Sequence, residues 1–343
     1  MSKNYYIIPI FISHQGCPHQ CVFCNQDRIA GAVDEVKAED VYNTVDAYLE
    51  TINSKGATIE VSFFGGTFTA IPVEKQRELL KVTKEYKEKG LIHNIRLSTR
   101  PDAINRYILD YLKDYKVDII ELGVQSLDDD VLKKSGRGHS AEDVYNASKL
   151  IKEYGFTLGH QIMPGLPGDD EEKDLSTVRK SLSMKPDICR IYPALIIKDT
   201  PMEKMYRRGE YLPYTLERAV QIAGKMYKMY RDAKVKVIRI GLQPTDTIAE
   251  GKDVVDGPFH PAFRELVEGS LICNELADKV DQDKDIILEI HEKDISKLYC
   301  NKKQYFNEFK SNRNGRVYVK AVKKIKRGKI KVTVIEKQEE FKI

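Results

Sequence analysis

The sequence has no run of apolar residues approaching the roughly 20 needed to cross a bilayer, so it gives no transmembrane helix. No small-residue cleavage site follows the short, β-branched stretch at 5–12, which reads as a first strand and not as a signal peptide. Low-complexity linkers and clear internal repeats are also missing. Cysteine is scarce, at six residues in 343, and three of the six crowd between positions 17 and 24 while Cys189, Cys273 and Cys300 are scattered. A disulfide framework would spread its cysteines and need an oxidising compartment. Three thiols within one short segment point instead to metal ligands kept reduced, and the expected compartment is the cytoplasm. Charge of one sign is not in excess either, since 56 basic and 52 acidic residues leave a net +4.

What is present is the balance of a globular chain, with 41% hydrophobic and 31% charged residues. The length suits one large α/β barrel with an appendage, or two ordinary domains. Apolar periodicity predicts strands at 5–12, 58–64, 94–98, 118–124, 157–163 and 187–192. Helical patterns lie between them at 38–53, 73–89, 103–114, 141–154 and 170–183. A further helix at 216–233 precedes a short strand at 235–240. Strict β/α alternation implies a parallel sheet with helical crossovers. Six such units form a partial (β/α)6 barrel, whose active site lies at the C-terminal strand ends.

The pattern changes near residue 245, which sets an expected division into a core domain, 1–245, and a small α+β C-terminal extension, 246–343. In the extension, 245–258 reads as a loop, 260–278 as a helix, and 285–291, 316–322 and 329–335 as short strands. Lys310 to Lys331 is a basic run that no acidic residue interrupts. It is compatible with phosphate contacts, with Tyr305, Phe306, Phe309 and Tyr318 nearby for stacking. A lysine-rich, solvated edge sheet explains it equally well.

The segment Cys17-Pro18-His19-Gln20-Cys21-Val22-Phe23-Cys24 is spaced C-x3-C-x2-C. Thiolates are soft ligands suited to iron–sulfur clusters or zinc. Three of them leave one iron of a four-iron cluster open to another ligand. Structural zinc would want a fourth protein ligand, which His19 or His14 can supply. Incidental thiols are the third reading.

The motif C-x3-C-x-aromatic-C after the first strand of a β/α chain resembles that of the radical S-adenosylmethionine (SAM) superfamily. The resemblance implies that Cys17, Cys21 and Cys24 hold a [4Fe–4S] cluster whose open iron takes the amino and carboxylate groups of SAM, with Phe23 near the adenine. Companion motifs extend it. Gly65, Gly66 and Thr67 end the second strand and resemble the family's glycine motif for the SAM amino group. Ser98 stands where relatives often carry glutamate, so this chain lacks that charge. Gln125 and Ser126, then Arg137 in Gly136-Arg137-Gly138-His139, resemble SAM-contacting segments shared by the Elongator catalytic subunit and oxygen-independent coproporphyrinogen oxidases. A PGLPG segment, 164–168, resembles the one these relatives keep near the adenosine, and Gln161 before it can reach the ribose hydroxyls or serve equally as a satisfied polar residue of the core. His139, His160 and Tyr192 are further candidates for the cavity wall.

Segments at 190–196, 209–214 and 260–269 resemble the Elongator branch, and the resemblance covers roughly 5 to 275. The cysteine loop is more compact than in that subunit, the tail after 280 is too short for its acetyltransferase domain, and no acetyl-CoA phosphate loop is evident. The implied activity is reductive cleavage of SAM to a 5′-deoxyadenosyl radical, fed by an electron donor such as flavodoxin or ferredoxin. The implied substrate is transfer RNA or another RNA, with a small molecule such as a tetrapyrrole as the alternative. A non-catalytic zinc or iron–sulfur protein is the alternative from another class.

Overall fold

The computed structural model describes residues 5–12, 17–25, 35–52, 56–245, 248–249 and 251–335. His14 and the end of the helix expected at 38–53 lie outside them. Seven strands form one parallel sheet: β1 Tyr5–Ile12, β2 Thr58–Gly65, β3 Asn94–Thr99, β4 Ile119–Gln125, β5 Thr157–Ile162, β6 Ile188–Ile191 and, after a short excursion, β8 Lys236–Ile240. They are ordered β1-β2-β3-β4-β5-β6-β8, so the strand expected at 235–240 extends the six-unit barrel by one.

The helices that follow the strands are α1 Ala38–Thr51, α2 Val73–Glu88, α3 Arg106–Asp114, α4 Asp129–Lys134, α5 Ala141–Glu153, α6 Glu171–Ser183, α7 Pro201–Arg207 and α8 Leu216–Asp232. All lie behind the sheet except the short α4 and α7, which pack beside Cys21 and Phe23. Sequence periodicity located most of them but missed the short α4 and α7. The helix expected from 103 starts at Arg106, because Asn105 caps it by accepting from the Ile108 amide at 2.9 Å. Residues Pro101–Ala103 form a separate 3-10 turn.

Side-chain alternation along the strands sorts the two faces. Ile8, Ile10, Ile59, Val61, Phe63, Ile95, Leu97, Ile120 and Leu122 are buried against the helices in one core cluster. The opposite, concave face carries Glu60, Ser62 and Phe64 on β2, Arg96 and Ser98 on β3, and Glu121, Gly123 and Gln125 on β4. It continues with Gly159 and Gln161 on β5 and Arg190 on β6. This inner face is where a barrel keeps its site.

The stretch expected as a loop at 245–258 contains β9 Val254–Asp256, paired antiparallel with β7 Ile196–Ile197. At two and three residues these strands are too short for a periodic signal. Helix α9 Phe263–Lys279 buries Phe263, Leu266 and Val267 among the residues of α8, β6 and β8. Beyond it, β10 Asp285–Ile290 is flanked by β11 Val317–Ala321, parallel, and β12 Ile330–Ile335, antiparallel. That sheet packs with α9, α10 Ile295–Leu298 and α11 Gln304–Ser311 around Ile286, Leu288, Ile290 and Phe306. Cys189 and Cys273 are buried free thiols in these cores, acting as small apolar fillers, and Cys300 is a third buried free thiol.

Candidate cofactor site at the strand ends

The cysteine segment is a tight turn clamped by its neighbours. The Cys24 amide donates to the Cys21 carbonyl at 3.1 Å, and the Val22 amide donates to the Ser135 carbonyl at 3.0 Å. The Val22 carbonyl in turn accepts from the Met202 amide at 2.8 Å. Gly136 and Gly138 have φ of +64° and +71°, and both lie directly under this turn. A Cβ would stand 3.0 Å from the Gln20 carbonyl at Gly136 and 2.5 Å from the His19 ring at Gly138. Only glycine allows both the conformation and the approach. Cys21 and Phe23 are buried in one apolar cluster with Val131, Leu166, Met202 and Tyr211.

Two other motifs meet the thiols. At the end of β2 the Gly66 amide donates to the Ile12 carbonyl at 2.6 Å, and Gly65 has φ +100°. That turn sets the buried Thr67 with its hydroxyl 3.3 Å from Cys17 Sγ. From the other side Arg137 Nη1 donates to Cys21 Sγ at 3.2 Å, while its Nη2 donates to the Gly123 carbonyl of β4 at 2.6 Å. Arg100 holds the Arg137 carbonyl at 2.5 Å and is itself fixed by a two-pronged contact to Asp102 at 2.9 Å.

Gln125 closes β4 in a left-handed conformation, φ +65°, at a shift in the β4–β5 register. Its Oε1 is buried without a hydrogen-bond partner, and so is Arg137 Nε. Such groups are rare unless something absent from the structure satisfies them. Ser98 and Gln161 are half-buried on the same concave face, with Gln161 in register between Gly123 of β4 and Arg190 of β6.

One expected SAM contact, Ser126, and one expected wall residue, His160, direct their side chains elsewhere. Ser126 is buried, accepts from the Asp128 amide at 3.2 Å and lies 3.4 Å from the Thr177 hydroxyl, so it shapes the turn after β4. His160 points into the helix layer between Ser148 at 3.0 Å and Ser181 at 2.8 Å, because alternation along β5 puts it opposite Gln161. Burial pushes its pKa down to about 3. His139 stays beside the site; burial and then the Arg137 and Arg100 charges push it down to about 3, so it is neutral. Tyr192 remains at the inner wall, its hydroxyl accepting from Arg190 Nη1 at 3.0 Å.

Sequence reasoning missed two further features. The first is a buried charge ladder across the concave face. Arg96 pairs with Glu60 at 2.8 Å and with Glu121 at 2.9 Å, and Glu121 pairs with Arg190 at 2.6 Å. The available signal was charge at inward positions of otherwise apolar strands. The second holds the 164–168 loop. The Tyr211 hydroxyl donates to the Gly165 carbonyl at 2.6 Å, and Tyr214 donates to Asp174 at 2.9 Å. Asp174 and Asp169 share this site, and burial with their mutual repulsion raises Asp174 far above the ordinary carboxylate range.

The donor set fits an iron–sulfur cluster and SAM. Three thiols converge in sequence on one turn, a guanidinium bonds one of them, and two polar atoms beside them are unsatisfied. Among the described residues, no three His, Cys, Asp or Glu side chains are already drawn together as a ligand group. No helix among them is long and apolar enough to cross a membrane.

Comparison with known proteins gives the family. Residues 11–180 match the model of the radical SAM superfamily, and 186–272 match the radical SAM C-terminal domain. The chain belongs to the radical SAM superfamily, and it is an enzyme of that class whose cofactors are a [4Fe–4S] cluster and SAM. A non-catalytic binding protein is thereby set aside.

Among particular relatives, it is 28% identical over 255 residues to a tRNA uridine(34) acetyltransferase of Methanocaldococcus infernus, covering 63% of this chain and 48% of the relative. It is 31% identical over 214 residues to an uncharacterized protein of Methanocaldococcus jannaschii, covering 60% and 65%. To Homo sapiens Elongator complex protein 3 it is 26% identical over 216 residues, covering 54% and 39%. The chain thus spans about half the length of the tRNA acetyltransferase relatives. In fold it is similar to archaeal Methanocaldococcus infernus Elp3, with a TM-score of 0.65, 24% identity, and coverage of 80% of this chain and 64% of that one.

Proposed function

We propose that this enzyme uses its cluster and SAM to modify a base of transfer RNA, with residues 1–245 as the catalytic core and 246–343 as an extension that contributes to RNA contact. Cys17, Cys21 and Cys24 hold the cluster. Phe23, the Gly65-Gly66-Thr67 turn, Ser98, Gln125, Gln161 and Arg137 line the SAM pocket, and Ser126 supports it through the turn that orients Gln125. When bound and reduced, these cofactors supply a 5′-deoxyadenosyl radical that abstracts a hydrogen atom from the substrate.

The observation that carries the reading is Arg137 bridging Cys21 and Gly123, which joins the cysteine turn to the β4 end. There the arginine supplies a fixed cation for a carboxylate, Phe23 and its apolar cluster exclude water, and neutral His139 adds no charge.

Transfer RNA is favoured by the relatives that act on tRNA uridine 34 and by the C-terminal sheet. Arg313, Arg327 and Lys331 are engaged there, with carbonyls, Asp294 and Glu289 respectively. Lys320, Lys323, Lys324, Lys326 and Lys329 are exposed and make no ion pair among the described residues. Acetyl transfer is not part of the proposal.

Anaerobic incubation of the reconstituted enzyme with dithionite, SAM and cellular transfer RNA, followed by nucleoside analysis, tests it. A new nucleoside with release of 5′-deoxyadenosine is expected. Release of 5′-deoxyadenosine without any altered nucleoside would turn the assignment toward a small molecule. RNA binding should weaken as salt rises, and neutralising those five lysines should flatten that dependence.

A further inference from the structure

The inner wall of the barrel carries more positive than negative charge, and the surplus lies on one side. Its carboxylates, Glu60 and Glu121, are engaged by Arg96, with Arg190 taking the second oxygen of Glu121. A third arginine, Arg239 on β8, is the register partner of Arg190 on β6. Arg239 is half-buried and makes no hydrogen bond or ion pair among the described residues. Arg190 is only 8% exposed, yet its Nη2 has no hydrogen-bond partner. The Arg190 guanidinium lies 5.4 Å from the Phe64 ring and donates to the Tyr192 hydroxyl at 3.0 Å, which fixes its orientation. Two arginines in register on neighbouring strands, with too few carboxylates between them, are costly to bury unless an anion joins them. Their planar forks match a carboxylate or a phosphate.

The position relative to the cofactor pocket gives this surplus a use. Gly123, Gln161, Arg190 and Arg239 stand in register on β4, β5, β6 and β8. Adjacent strands are about 4.8 Å apart, so Arg190 and Arg239 lie roughly 10 and 15 Å along the sheet from Gly123. Gly123 is the point at which Arg137 ties the sheet to Cys21. A substrate reaching from the arginine pair toward the cysteine turn is thus the size of a nucleotide or a small organic acid.

The geometry points to an anion subsite formed by Arg190 and Arg239, with Tyr192 beside them, that takes a carboxylate or phosphate group of the substrate on the barrel wall across from the cysteine turn. This deepens the radical SAM reading and rests on it.

The test uses the full chain, reconstituted with its cluster and supplied with SAM under anaerobic conditions. Binding of uridine 5′-monophosphate, malonate and uridine is measured by calorimetry for the wild type, Arg239→Gln and Arg190→Lys. One of the two anions is expected to bind the wild type, with uridine weaker. Arg239→Gln should cut that affinity about tenfold to a hundredfold, as for a lost charge-assisted contact, with iron content and circular dichroism unchanged. Arg190→Lys keeps the charge of the ladder but not the fork, and should also weaken binding.

Preference for the nucleotide assigns the anion to an RNA phosphate, and preference for malonate assigns it to a small carboxylate co-substrate. Absence of anion binding by the wild type, or equal binding by Arg239→Gln, overturns the subsite. The wild type is separately assayed for 5′-deoxyadenosine on reduction with dithionite. Failure there removes the radical reading itself, so the two failures are distinguishable.

Discussion

Arg137 and Cys21 are 116 positions apart in the chain, yet the guanidinium of the first donates to the sulfur of the second at 3.2 Å. The contact places a permanent positive charge against a buried thiol that is proposed to hold the cluster. Hydrogen bonds to cluster sulfurs are among the factors that set reduction potential. Arg137→Ala is therefore expected to shift the cluster to a more negative potential and to weaken SAM binding about tenfold or more, while leaving iron content intact. Spectroelectrochemistry and SAM titration read the two effects, and an unchanged potential together with unchanged affinity would remove the assigned role.

Iron content tests the ligand set. Anaerobic reconstitution should give about four irons per chain, and Cys21→Ala should abolish the chromophore. Stoichiometric zinc in the purified wild type, with no iron chromophore under any condition, would defeat the cluster assignment.

The charge ladder makes a prediction about stability. Replacing Arg96 with Met leaves Glu60 and Glu121 buried with too little compensation, and breaking such a pair costs about 3–5 kcal/mol. Urea denaturation should show a loss of that size for Arg96→Met. A loss under about 1 kcal/mol, the range of exposed pairs, would mean that water reaches the ladder.

Asp174 predicts a pH dependence. Its folded-state pKa is raised above that of an unfolded aspartate, so the folded chain holds an extra proton between the two values. Stability from this group is fully present below the unfolded value near pH 4 and declines as pH rises toward the raised one. Asp174→Asn, which cannot ionise, should flatten the stability–pH curve between roughly pH 5 and 8. Thermal melts across that range check it, and an unaltered slope would mean that the proton is held elsewhere.

Much of the site was legible without tertiary structure. The cysteine spacing, the glycine turn at 65–66 and the 136–139 loop are local patterns, and the structure gathers all three. Inward and outward positions were less legible. His160 and Gln161 are neighbours in sequence, but alternation on β5 sends one to the helix layer and the other to the barrel. Ser126 looked like a ligand beside Gln125, yet its hydroxyl is used by the turn. The antiparallel pairing of Ile196 and Ile197 with β9 was invisible because two-residue strands have no period.

By itself, the sequence determined the alternation of strands and helices, the parallel sheet and the spacing of the three thiols on the cysteine turn. Each of these rests on spacing within a few turns or a single loop. Tertiary structure alone decided which charges meet, because the contacts of Glu60, Arg96, Glu121 and Arg190, and the placing of Arg239 beside Arg190, depend on register between strands far apart in the chain. Register follows from packing the whole apolar face against its helices, and no local pattern encodes it.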